Sequence, residues 1–160
     1  MFMKVLVLHL KLKRMVIFLF LVYLSVVLFG NFVSDGTTFI RMRSIRNALI
    51  GVKHNIIPFS TIGTYLFNYN SYNPNIWFYN TFGNILLFVP MGILLPILST
   101  KLTRLLLTIG ITFLLSLTIE IIQLVTQLGV FDVDDILLNT LGGYVGFLIF
   151  VLFKNKKKDT

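Results

Sequence analysis

Glu120, Asp132, Asp134 and Asp135 are four of the chain's six carboxylates, and they fall between positions 120 and 135, beside or inside segments apolar enough to enter a membrane. A carboxyl group in such surroundings can do three kinds of work. It can transfer a proton while amide side chains hold the partner groups, hold a hard cation such as Mg²⁺ or Ca²⁺ among carboxylate and amide oxygens, or hydrogen-bond neighbouring helices together. An ionisable residue inside a span is costly and is a functional candidate by default. Glu120 and Asp135 are the candidate catalytic pair, with Asn84, Gln123, Asp134 and Asn139 as candidate substrate-binding groups. No spacing typical of a metal site, nucleophile elbow, P-loop or dinucleotide fingerprint is present, so neither a metal nor another cofactor is expected.

Helical phase decides which of these groups can meet. Thr108, Thr112, Ser116, Glu120, Gln123 and Gln127 recur at steps of four, four, four, three and four, one continuous face of an α-helix. A stripe of that polarity must point into a bundle rather than at lipid. Asp135, Asn139, Gly142 and Gly146 form the matching face of the next apolar segment, and Gly142-x-x-x-Gly146 is a spacing that allows close helix approach, either to the Glu120 stripe or to a second copy of the chain. Asn84 lies at a similar depth on the preceding segment. Asp132 suits the N-cap of its helix, and Asp135 then falls at N3 of a capping-box arrangement. Asp134 shares a face with Leu138, Leu141 and Val145, whereas Asp135 continues through Asn139 toward the interior and is the expected partner of Glu120. One aspartate would satisfy the helix end; three within a turn repel one another and call for a cation, a proton or a function. His54 beside a Pro-Phe segment reads as an amphipathic interfacial residue.

The elements that must carry these groups follow from hydropathy. At 160 residues, 56% hydrophobic and 12% charged, the chain is far from the composition of a soluble domain. Four stretches reach the length of about 20 residues needed to cross a bilayer: 15–33, 80–98, 105–128 and 136–153. The fold expected is all-α and polytopic: a cytoplasmic N-terminus over 1–14, a membrane domain over 15–153, an outer loop over 34–79 and a basic tail over 154–160. The first stretch is long and lacks an A-x-A-like cleavage site, and so reads as a retained anchor. Pro90 and Pro96 with Gly92 predict a bend in the second span.

The net charge of +8 does not indicate nucleic acid, because the cations follow topology. Lys4, Lys11, Lys13 and Arg14, then Lys101 and Arg104, then Lys154, Lys156, Lys157 and Lys158 place both termini and the 99–104 turn in the cytoplasm under the positive-inside rule. Arg41, Arg43, Arg46 and Lys53 in the outer loop run against it, and suit either a solvated basic face or contact with anionic lipid or wall polymer. Within that loop, 39–52 has the mixed composition of a surface-lying helix, Pro58 and Gly63 interrupt the segment 54–67, and 68–80 reads as a turn-rich connector. Without cysteine, the chain has no disulfide or thiolate site.

Taken together, "NIIPF" at 55–59, "GNILLFVPMGILLP" at 83–96, "SLTIEIIQ" at 116–123 and "DVDDILLNTLGGYVGF" at 132–147 resemble the VanZ-like family of small bacterial membrane proteins over roughly residues 18–152. The resemblance implies an envelope protein associated with resistance to teicoplanin, a glycopeptide acting at the outer membrane surface and cell wall. Family members often carry an arginine shortly before the aspartates, where this chain has Gly129 and Val130. Three functions fit: an envelope factor that modifies glycopeptide susceptibility, an intramembrane enzyme acting on a lipid or lipid-linked wall intermediate, and a small transporter or membrane-complex subunit. Partners implied are membrane lipids, a cell-wall precursor or glycopeptide, and a second copy through Gly142 and Gly146.

Overall fold

Long apolar runs without sheet-forming alternation yield helices, and the computed structural model describes residues 2–32, 54–67 and 74–156. In chain order these are α1 (Phe2–Phe32), α2 (Ser60–Phe67), α3 (Pro74–Leu98), a 3₁₀ turn over Thr100–Thr103, α4 (Leu105–Thr126) and α5 (Val133–Lys156). Within α1, α3, α4 and α5 the segments Leu10–Phe32, Asn80–Leu98, Leu105–Thr126 and Val133–Lys156 are long and apolar enough to cross a membrane. The surface helix expected over 39–52, its cations Arg41, Arg43 and Arg46, Lys53, residues 68–73 and the last residues of the tail lie outside the described residues.

The helix ends depart from expectation for identifiable reasons. α1 begins at Phe2, not 15, because Lys and Leu are good helix formers and carry the helix past its apolar part. α3 begins at Pro74, so 74–80 is helical rather than connector; proline at N1 has no N–H to leave unpaired. Gln127 adopts φ 55°, ending α4 at Thr126 and making Gln127 a left-handed cap instead of the last member of the polar stripe. α5 starts at Val133 and runs to Lys156, with Asp134 and Asp135 in its first turn and Lys154 and Lys156 in its last, each complementing the helix dipole.

α3 and α5 run parallel with their backbones in contact. A Cβ added to Gly142 would lie 2.2 Å from the Ile85 carbonyl oxygen, one on Gly146 would lie 2.0 Å from that of Val89, and one on Gly92 would lie 2.0 Å from that of Gly143. Gly143 in turn accommodates the Thr112 side chain of α4. The Gly142/Gly146 face is therefore packed chiefly on α3 rather than on the Glu120 stripe, and it is occupied within the chain. On the far side, Val27 of α1, Phe88, Met91 and Leu95 of α3 and Ile119 of α4 form the buried apolar core. Tyr23 of α1 donates to the Leu87 carbonyl of α3 at 3.0 Å. The outward side chains are apolar and exposed, as lipid contact requires.

An acidic cluster at the head of α5

The α4–α5 turn and the segment 54–62 meet at one end of the bundle, joined by backbone and side chain alike. Asn55 donates its N–H to the Phe131 carbonyl at 2.8 Å, and Val133 donates to the Asn55 carbonyl at 3.1 Å, a single rung of parallel pairing. His54 Nδ1 accepts the Phe131 N–H at 3.1 Å. Asp132 is the N-cap of α5, its Oδ1 accepting the Asp134 N–H at 2.8 Å. The same carboxylate accepts Asn55 Nδ2 at 2.8 Å and, through Oδ2, the Thr61 hydroxyl at 2.7 Å.

Asp134 is fully buried and faces α2. Its Oδ1 accepts the Phe59 N–H at 2.5 Å, and its Oδ2 accepts those of Thr61 at 2.7 Å and Ile62 at 3.0 Å. These donors are the N-cap, N2 and N3 amides of α2, so one carboxylate completes a helix end 72 to 75 residues earlier in the chain. Phe59 adopts φ 65°, a left-handed conformation that an aromatic residue rarely takes and that the bond to Asp134 holds in place.

Glu120, 1% exposed, accepts the Asp132 N–H through Oε2 at 2.9 Å. The N-cap's own N–H thus goes to Glu120 of α4, and Asp135 does not close the expected capping box. Asp135 Oδ1 instead accepts Asn84 Nδ2 of α3 at 2.6 Å. The carboxylates of Asp132, Glu120 and Asp134 lie within electrostatic range of Asp135; the pair expected of Glu120 and Asp135 is a neighbourhood, bridged through Asp132, rather than a hydrogen bond. Gln123 donates to the Asn31 carbonyl of α1 at 3.1 Å and so serves the α1–α4 contact. Asn139, one turn below Asp135, donates to Ser116 Oγ at 2.9 Å, and its own carbonyl oxygen is buried without a partner.

A cleft of about 360 Å³ opens between these elements. Asn55, Thr61, Asn80, Asp132 and Asp135 make its polar wall, and Ile62, Val130 and Leu138 its apolar wall. Both oxygens of Asp132 are engaged in the clamp on Asn55 and Thr61, whereas Asp135 has one oxygen on Asn84 and the other without a donor among the described residues. The cleft can therefore accept a hydrogen bond or a proton at Asp135 while contacting an apolar group opposite. Among the described residues no group of three or more His, Cys, Asp or Glu could hold a metal ion. Where the resemblance expects arginine, Gly129 is packed on the Gln123 side chain and Val130 faces the cleft.

Of the residues expected at the site, Glu120, Asp134, Asp135, Asn84 and Asn139 gather at the head of α5 and the turns of α3 and α4 facing it, and Gln123 turns to α1. Asn55, Thr61, Asn80 and Ser116 were not expected there. The "NIIPF" segment carried a signal for Asn55; for Thr61 it was its place in the first turn after Pro58, where helix-end groups collect.

A sequence profile described as VanZ/LLP1 matches residues 15–154. The chain is 32% identical over 103 residues to Protein VanZ of Enterococcus faecium, covering 58% of this chain and 63% of that protein. It thus spans less than two thirds of the relative's length. No solved structure matches it significantly.

Proposed function

The chain belongs to the VanZ/LLP1 family, and from that premise we propose that this multi-pass membrane protein alters the susceptibility of its cell to glycopeptides such as teicoplanin through the cleft at the head of α5. One observation carries the reading. Of the three clustered aspartates, Asp132 and Asp134 spend their oxygens on the protein itself, and among the described residues Asp135 has one cleft-lining oxygen with no hydrogen-bond donor. Asp135 is the group that meets a ligand, Asn84 orients it, and Glu120 fixes the turn that carries it. Lys154 and Lys156 at the other end of α5 and Lys101 in the α3–α4 turn support, through the positive-inside rule, an orientation with that end and both termini in the cytoplasm and the cleft at the outer leaflet. Wall precursors and glycopeptides are encountered there.

The experiment is a deletion strain complemented with the wild-type chain and scored for growth in teicoplanin and in a second glycopeptide. Deletion shifts the inhibitory concentration and complementation restores it; unchanged susceptibility to both drugs under deletion and overexpression would sink the proposal. Turnover of a lipid-linked wall intermediate in the same cleft is the second reading, favoured by the cleft-lining Asp135 carboxyl as a proton-transfer group. It requires a changed pool of such intermediates in the deletion strain.

A further inference from the structure

We propose that residues 56–59 form an apolar strap seated in the bilayer at the acidic end of the bundle, where hydrocarbon gives way to headgroups. For a segment in water the strap is built inside out. Ile56, Ile57 and Phe59 are 72%, 65% and 66% exposed, while the polar side chains of Asn55 and Thr61 on either side of them turn inward to Asp132. Water would favour the reverse. Three large apolar side chains within four residues make a patch of the kind that meets a membrane.

Height along the bundle and backbone pairing select lipid as the covering. Asn55 pairs with the backbone of Phe131 and Val133, and Val133 is the first residue of the apolar span Val133–Lys156. Across the cleft, Asn80 begins the span Asn80–Leu98. The strap therefore stands beside the level at which two spans enter hydrocarbon. Non-helical backbone at such a level is tolerated when its polar groups are paired inside the protein. The Asn55 N–H goes to the Phe131 carbonyl and that of Ile57 to the Asn55 side-chain oxygen, and Pro58 has none. Phe59, Thr61 and Ile62 give theirs to Asp134, and Ser60 and Gly63 to the carbonyls of Ile57 and Phe59. A segment lying in water has no need of this, because water pairs loose amides. Asp134, buried and committed wholly to backbone, is thus the group that lets an irregular segment lie against lipid. The inference is independent of the proposed function, since it concerns what covers the strap and not what the cleft holds.

The chain has no cysteine, so single cysteines can be labelled without background. Ile56→Cys and Ile57→Cys, carrying bimane and reconstituted in phosphatidylcholine nanodiscs, are compared with Leu114→Cys in the middle of α4 and Lys101→Cys in the turn between spans. All four replaced side chains are exposed, so the variants fold. Phosphatidylcholine bearing a nitroxide on the upper acyl chain is expected to quench the labels at 56 and 57 as much as the one at 114, and aqueous iodide to quench only the one at 101. Iodide quenching at 56 and 57 equal to that at 101 overturns the proposal by placing the strap in water. Labels at 56 and 57 shielded from both quenchers overturn it too, by placing protein over the strap. Adding Asp134→Ala to Ile57→Cys should make the label iodide-sensitive; a label that stays shielded would overturn the part given to Asp134.

Discussion

Replacing Asp134 by alanine removes both acceptors that close the N-terminus of α2, and the consequence can be followed amide by amide. The bonds from Phe59 and Thr61, at 2.5 and 2.7 Å, are short and charge-assisted, and the one from Ile62 at 3.0 Å is longer. A hydrogen bond to a charged group contributes about 1.5–3 kcal/mol. Counting the two short ones in full and leaving the third as margin, opening of the 59–62 segment becomes easier by about 3–6 kcal/mol. That is roughly two to four powers of ten in exchange rate, up to the limit set by unprotected amides. Hydrogen–deuterium exchange of the purified protein in nanodiscs should show Phe59, Thr61 and Ile62 deprotected while the α4 amides around Ile119 stay slow. Asp134→Asn should fall between, since it keeps one acceptor oxygen. Unchanged protection at 59–62 would refute the capping role, and equal loss throughout α4 would show that Asp134 supports the whole bundle instead.

Three further outcomes follow from the packing. Gly146→Ala should lower the thermal midpoint in detergent by an amount matching about 1–3 kcal/mol of overpacking, because its Cβ meets the Val89 carbonyl, while Gly110→Ala, with nothing within 4 Å, should leave it unchanged or raise it. Tyr23→Phe should cost about 0.5–1.5 kcal/mol through the lost bond to Leu87, read as the same midpoint. Ser116→Ala with Asn139→Leu removes a buried bond together with the unpartnered Asn139 oxygen, so stability should be retained; a large loss would mean that oxygen has a partner in the membrane-bound protein.

The spans were legible because hydropathy needs no partner: twenty apolar residues must be covered by lipid or protein wherever they go. Asp132's role as N-cap was legible for a similar reason, since a cap acts on its own helix. Asp134 was not, because the amides it serves are more than 70 residues away, and no local pattern in "DVDD" distinguishes an acid that caps a remote helix from one that meets a ligand. The glycines announced a close approach without saying to which helix; Ile85 and Val89 of α3 supplied the answer. Gln123 sits in phase with Glu120, yet its amide N–H donors and its place near the end of α4 bring it to the Asn31 carbonyl of α1. Phase fixes direction around a helix, and only the neighbouring helices fix what is met there.

The division of labour among the aspartates is tested most directly by teicoplanin susceptibility of a deletion strain carrying Asp135→Asn at wild-type membrane abundance. Asparagine keeps the size of the side chain and can still bond Asn84, so the bundle stays folded while the carboxyl group at the cleft is lost. The susceptibility of the deletion strain, at full abundance of the variant, is the predicted result. Wild-type susceptibility in that strain would contradict the assignment of Asp135 as the group that meets the ligand.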